Sequence, residues 1–202
     1  GISNSAIGTQ SLAGNTTGQN NVGLGTASLY TNSTGQSNTS VGSNALFSNT
    51  TANNNTAVGY QAAYANTTGG NNVFSGYRAG YSNTTGASNV ASGLQSFFTN
   101  TTGSFNIAIG QQALQANTTA SNNTAVGYQS GYSNTTGTPN TFLGVKAGFT
   151  NTTGGENLAA GGFALYFNTT GANNTALGRS ALEANTTASN NTAVGYQAGY
   201  TN

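Results

Sequence analysis

The chain lacks cysteine, histidine, methionine and tryptophan, holds one proline, and carries almost no charge. Without cysteine there is no disulfide framework. Without histidine or cysteine neither a Ser–His–Asp nor a Cys–His constellation can form, and no metal centre is expected. Charged residues make up 2% of the chain, namely Arg78, Lys146, Glu156, Arg179 and Glu183, against about 25% in an ordinary domain. Three cations cannot neutralise a phosphate backbone, which excludes nucleic acid as a partner. The two carboxylates fall at unrelated places in the repeat described below, so no acid–base pair is expected. No phosphate-binding loop occurs, since Lys146 follows a single glycine. No apolar run is long enough to span a membrane. These absences point away from an enzyme and away from any cofactor. They also leave solubility to hydroxyls, amides, or groups attached to them.

What is present is a repeat. Asn-Thr-Thr or its Asn-Ser-Thr variant recurs at Asn15, Asn32, Asn49, Asn66, Asn83, Asn100, Asn117, Asn134, Asn151, Asn168 and Asn185, always 17 positions apart, and Asn202 begins the next copy. With that Asn as position 1, position 3 is always Thr. Position 7 is always Asn: Asn4, Asn21, Asn38, Asn55, Asn72, Asn89, Asn106, Asn123, Asn140, Asn157, Asn174 and Asn191. Position 11 is always Gly: Gly8, Gly25, Gly42, Gly59, Gly76, Gly93, Gly110, Gly127, Gly144, Gly161, Gly178 and Gly195. Position 14 is Ala or Ser, position 10 is mostly Val, Ile or Leu, and position 16 is aromatic in nine of twelve copies. A longer period lies above this one. Segment 117–133 matches 185–201 at 15 of 17 positions but its neighbour 134–150 at only 7, and a third relative starts at Asn49. The super-repeat, stepping from Asn49 to Asn117 to Asn185, is therefore four units, or 68 positions, long.

A 17-residue unit rich in Asn, Thr and Gly is too short and too poor in helix formers for a helical array. It fits one coil of an all-β parallel solenoid, with two or three short strands joined by tight turns and about twelve coils stacked about 4.8 Å apart. The strict period follows, because one inserted residue would turn side chains to the wrong face. In such a coil the position-7 asparagines are expected to form a ladder in which each amide bonds the amides above and below. The position-11 glycines are expected where φ is positive or a Cβ has no room. Position 10 is expected to supply a buried aliphatic stack, and the position-16 aromatics a stripe on one flank. So thin an interior buries little against a backbone cost of about 1–2 kcal/mol per residue. Partner chains are therefore expected, covering the aromatic stripe in a symmetric homo-oligomer. Neither end departs from the repeat, so the expectation is a longer fibre or head-to-tail stacking.

The Asn-x-Ser/Thr sequons carry a second expectation. The eleven position-1 asparagines, Asn15 to Asn185, are candidate glycan acceptors, with Asn38, Asn54, Asn122, Asn173 and Asn190 as further ones. A row of glycans would solubilise an uncharged fibre; the competing reading is that Asn-Thr-Thr-Gly is simply a good turn.

The segment Asn-Asn-Thr-Ala-Val-Gly-Tyr-Gln-Ser-Gly-Tyr-Ser-Asn-Thr-Thr-Gly at 122–137 resembles the repeats of long phage tail fibres and of tail-fibre-like bacterial surface proteins. More distantly it is similar to the head repeats of trimeric autotransporter adhesins, whose Asn, aliphatic-Gly pair and small residue fall here on Asn123, Val126, Gly127 and Ser130. The resemblance covers the whole chain. It implies a left-handed parallel β-roll, homotrimeric and extracellular, that attaches to a host receptor or surface glycan. The functional expectation is a structural fibre segment for extracellular reach, display or attachment. The alternative is a binding module, of adhesin or ice-binding type. Against ice binding, the Thr at positions 2 and 3 would face opposite ways in a strand.

Overall fold

The computed structural model describes residues 1–201, so Asn202 lies outside it. The chain is an all-β parallel solenoid. Its strands are β1 (Ser5–Ile7), β2 (Val22–Leu24), β3 (Thr39–Val41), β4 (Thr56–Val58), β5 (Val73–Ser75), β6 (Val90–Ser92), β7 (Ile107–Ile109), β8 (Thr124–Val126), β9 (Asn140–Leu143), β10 (Asn157–Ala160), β11 (Thr175–Leu177) and β12 (Thr192–Val194). They form one sheet in chain order, every neighbouring pair parallel. Each residue pairs with its equivalent 17 positions on, as Ala108 with Ala125 and Ile109 with Val126. The invariant period of the sequence is thus the register of the sheet.

Each coil has one strand rather than two or three. The rest is a succession of turns, because positions 6, 13 and 15 mostly adopt left-handed backbone conformations that no ladder accommodates. Asn71 (φ 61°), Arg78 (φ 53°) and Leu46 (φ 48°) are examples. A left-handed residue costs roughly 1–2 kcal/mol, and leucine is not a residue that sequence rules place there. Stacking offsets the cost: even turn residues bond to the adjacent coil, as Leu46 N–H to the Ala62 carbonyl at 3.0 Å and Gly42 N–H to the Leu24 carbonyl at 2.7 Å. Many turn groups are thereby paired along the axis as the strands are, while positions 1 and 14 bond within their own coil, as Asn83 N–H to the Gly80 carbonyl.

Position 10 is not the core. Val58, Ile109, Val126 and Leu143 point outward and are about two-fifths exposed. The strand alternates, so its middle residue at position 9 faces inward, and that residue is usually Ala: Ala57, Ala91, Ala108, Ala125 and Ala159 are fully buried. Positions 14 and 15 close the interior from the opposite side, with Ala45, Leu46, Ala113, Leu114, Ala164 and Leu165 buried.

The interior conserves volume by exchange. Where position 9 is Phe, position 15 of the same coil is Gly: Phe74 with Gly80, and Phe142 with Gly148. A Cβ on Gly80 would sit 2.6 Å from the Phe74 ring, and one on Gly148 2.4 Å from the Phe142 ring. Where position 9 is Ala, position 15 is usually large, as with Ala91 and Phe97 or Ala108 and Leu114. Close packing requires this complementarity, and Phe74 and Phe142 stand one super-repeat apart.

Candidate functional site

Two columns of asparagine run the length of the interior. At position 7 the carboxamide serves mainly the backbone. Asn72 Oδ1 accepts the Asn89 N–H at 2.9 Å, and Asn72 Nδ2 donates to the Gly86 carbonyl of the next coil at 2.9 Å. The same pair of bonds recurs at Asn21, Asn38, Asn55, Asn89, Asn106, Asn140 and Asn157. Direct amide-to-amide bonds at this position occur at a few steps, such as Asn38 Nδ2 to Asn21 Oδ1 at 3.1 Å.

The continuous amide-to-amide column is instead at position 1. Asn83 Nδ2 donates to Asn66 Oδ1 at 2.8 Å, and Asn83 Oδ1 accepts from Asn100 Nδ2 at 2.7 Å. Each Nδ2 donates a second time to the position-4 carbonyl of its own coil, as Asn83 to Gly86 at 2.9 Å. That carbonyl is the same one that Asn72 reaches, so the two columns meet at position 4 along the stack, except at Gly137, which Asn134 reaches while Asn123 Nδ2 has no partner.

This geometry bears on the candidate glycan acceptors. Asn32, Asn49, Asn66, Asn83, Asn100, Asn117, Asn134, Asn151, Asn168 and Asn185 are buried. Both hydrogens of each Nδ2 are engaged, one to the preceding amide and one to the position-4 carbonyl. A sugar on that nitrogen would replace one of the two hydrogens and break one of these bonds. Asn15, in the first full unit, is half-buried and donates to the Gly18 carbonyl at 3.1 Å. Asn38 is buried as a position-7 residue.

The position-11 glycines combine both demands expected of them. At Gly127 φ is +135°, and an added Cβ would lie 2.5 Å from the Gly144 carbonyl oxygen. The adjacent hydroxyls divide their work. At position 2 they bond to the next coil, as Thr84 Oγ1 to the Thr101 carbonyl at 2.9 Å. At position 3 the threonines, Thr34 and Thr85 among them, are exposed.

Outside, two surfaces stand out. The position-16 rings stack along the axis, Tyr30, Phe47, Tyr64, Tyr81 and Phe98 in one run with centroids 5.0–5.2 Å apart. A second run joins Tyr132, Phe149 and Tyr166. Gln115 and Glu183 interrupt the column, one super-repeat apart. Arg78 lies 5.3 Å from both the Tyr77 and Tyr81 centroids and donates to Gln61 at 2.8 Å. These rings are half-buried against one another, so the stripe already covers much of itself.

The more exposed apolar surface is the outer face of the sheet, whose position-10 residues were expected in the core. Positions 8 and 10 present Val73, Val90, Ile107, Ile109, Val126 and Leu143, and position 12 adds Tyr60, Tyr77, Leu94 and Tyr128. The signal was available: a three-residue strand with Ala in its middle must turn its flanking aliphatics the other way.

Among the described residues there is no pocket, no group of three or more His, Cys, Asp or Glu side chains, and no helix long and apolar enough to cross a membrane. No family model, curated protein or solved structure matches the chain.

Proposed function

We propose that the chain is a segment of an extracellular structural fibre, working by mechanical reach and display, and that copies of it associate side by side through the outer face of the sheet. The observation that carries this reading is the outer face of positions 8, 10 and 12, which runs along all twelve strands, is aliphatic at most position-10 sites and largely hydroxyl-bearing at position 8, and holds one charged residue, Arg179. Twelve strands at about 4.8 Å spacing and four residues of width at about 3.3 Å each give about 700 Å² per chain. Two such faces bury about 1,400 Å², within the range of specific interfaces. A thin core of alanine and a few large residues gains most from such cover. The likeness to tail-fibre and adhesin-head repeats supports three chains about an axis parallel to the stack, and an extracellular setting.

The test is sedimentation of the purified chain beside a Val58→Lys, Ile109→Lys, Val126→Lys variant. The expected result is a trimer for the parent and a monomer for the variant, with unchanged circular dichroism. A well-folded monomeric parent overturns the reading.

A binding-module reading has one observation of its own. The position-3 threonines are the invariant exposed residues of the unit, a line of hydroxyls and methyls suited to a surface glycan. Loss of glycan-array binding on changing several of them to Val, with the fibre intact, is the expected outcome if that line is the contact.

A further inference from the structure

The sequons of this chain have two structural fates. At position 1, from Asn32 to Asn185, the asparagine is an interior column residue with both amide hydrogens committed. At position 6 it is not. Asn54, Asn122, Asn173 and Asn190 are exposed, in left-handed turns with φ of 57–63° just ahead of a strand. Each is followed by the column asparagine at position 7 and then by Thr56, Thr124, Thr175 or Thr192. Position 7 turns inward, while the asparagine before it and the threonine after it lie on the outer side, half-buried or exposed. The two side chains that define a sequon are therefore both offered outward, and the residue between them is the one held by the fold. Asn54 Nδ2 makes a surface contact with Asn71 Oδ1 at 3.2 Å, which the hydrogen left after substitution can keep.

The placement follows the longer period. Asn54, Asn122 and Asn190 stand one super-repeat apart, and Asn173 lies one coil before Asn190. Other coils with Asn at position 6, such as those of Asn20 and Asn71, have Val at position 8 and form no sequon.

We propose that Asn54, Asn122, Asn173 and Asn190 are sequon asparagines of the folded chain that accept an N-linked sugar, and that the buried position-1 sequons, Asn32 to Asn185, are closed to it. In the transfer, Nδ2 attacks the anomeric carbon of a sugar activated as a nucleotide or lipid-pyrophosphate ester. The bond from that carbon to the phosphate oxygen breaks, the oxygen leaves with the electron pair, and Nδ2 releases one proton. Three of the acceptors would then stand about 19 Å apart along one corner of the solenoid, four coils at about 4.8 Å each. They would hydrate a surface that has 2% charge. Timing follows from the same geometry. A sugar placed on any buried position-1 asparagine before folding would prevent that coil from closing, so transfer to this chain follows folding.

The test uses the full folded chain from a host without asparagine glycosyltransferase. It is treated with a soluble asparagine glucosyltransferase and a nucleoside-diphosphate glucose. As a control, proteolytic fragments of the same chain are treated in parallel, where hexose is expected at both sequon positions. Peptide mapping by mass spectrometry is expected to find hexose at Asn54, Asn122, Asn173 and Asn190 and none at the buried position-1 residues. Each Asn→Gln substitution at position 6 should remove one hexose from the intact mass. Hexose on Asn66, Asn83 or Asn100 of the folded chain overturns the proposal, and so does a folded chain that takes up none at position 6.

Discussion

The two asparagine columns are chemically identical and equally buried, yet they hold the molecule in different ways. Asn72, at position 7, stands where the backbone lacks a partner: its oxygen takes the Asn89 N–H. Asn83, at position 1, bonds mainly to its own kind, to Asn66 and Asn100, while its own backbone N–H is satisfied locally by the Gly80 carbonyl. Residue type and burial therefore do not rank the columns; what each amide would leave unpaired does. Losing Asn83 leaves Asn100 its bond to Gly103 and takes the donor from the Asn66 side-chain oxygen, which a side chain can reorient to relieve, whereas stranding the buried Asn89 N–H, fixed in the backbone, costs about 1–3 kcal/mol.

That difference can be broken experimentally, because Asn72 and Asn83 share the Gly86 carbonyl. The largest effect is expected for Asn72→Ala combined with Asn83→Ala, which strips both side-chain donors from that oxygen. The pair should exceed the sum of the single changes by about 1 kcal/mol, measured by denaturant unfolding. Asn72→Ala alone should cost about 2–3 kcal/mol and accelerate hydrogen exchange at the Asn89 amide by roughly 30- to 100-fold if local opening tracks that loss. Asn83→Ala should cost about 1 kcal/mol and leave exchange at Asn89 nearly unchanged. Equal losses from the two single changes would refute the distinction. The smallest effect is expected outside: Tyr81→Ala, which cuts the five-ring run between Tyr64 and Phe98, should cost about 1 kcal/mol or less, since its neighbours remain held by their coils.

The period, the parallel stack and the glycine column were legible in the sequence because each is enforced at every coil by the same contact. The constant spacing of the units is the sheet register, and Gly127 has both a positive φ and a carbonyl against its missing side chain. Less legible was which face of the strand is inside. Val, Ile and Leu at position 10 look like core by hydropathy, but with one strand of three or four residues per coil the inward places fall at position 9 and the asparagine of position 7, and the alanines at position 9 read as filler. Harder still were the leucines at positive φ, such as Leu46 and Leu114. Intrinsic preference argues against them, and the stacked coils, not the local sequence, hold them there. The bonding within the position-7 column departs from expectation for a related reason. Invariance marks both Asn positions alike, and only coordinates tell which carboxamide faces its copies.

The exchange of bulk between Phe74 and Gly80, repeated at Phe142 and Gly148, gives the molecule a unit of growth. Deleting the coil before Phe142 would take away Gly131, where a Cβ would lie 2.7 Å from that ring, and bring the coil of Leu114 against it. An in-frame gain or loss of one whole super-repeat keeps Phe74-type coils at their four-coil spacing, each with the glycine of its own coil. Recombination between its own gene segments can thus change the rod's length in whole steps of about 19 Å while each new joint is already a proven fit, as a ruler is extended by identical links.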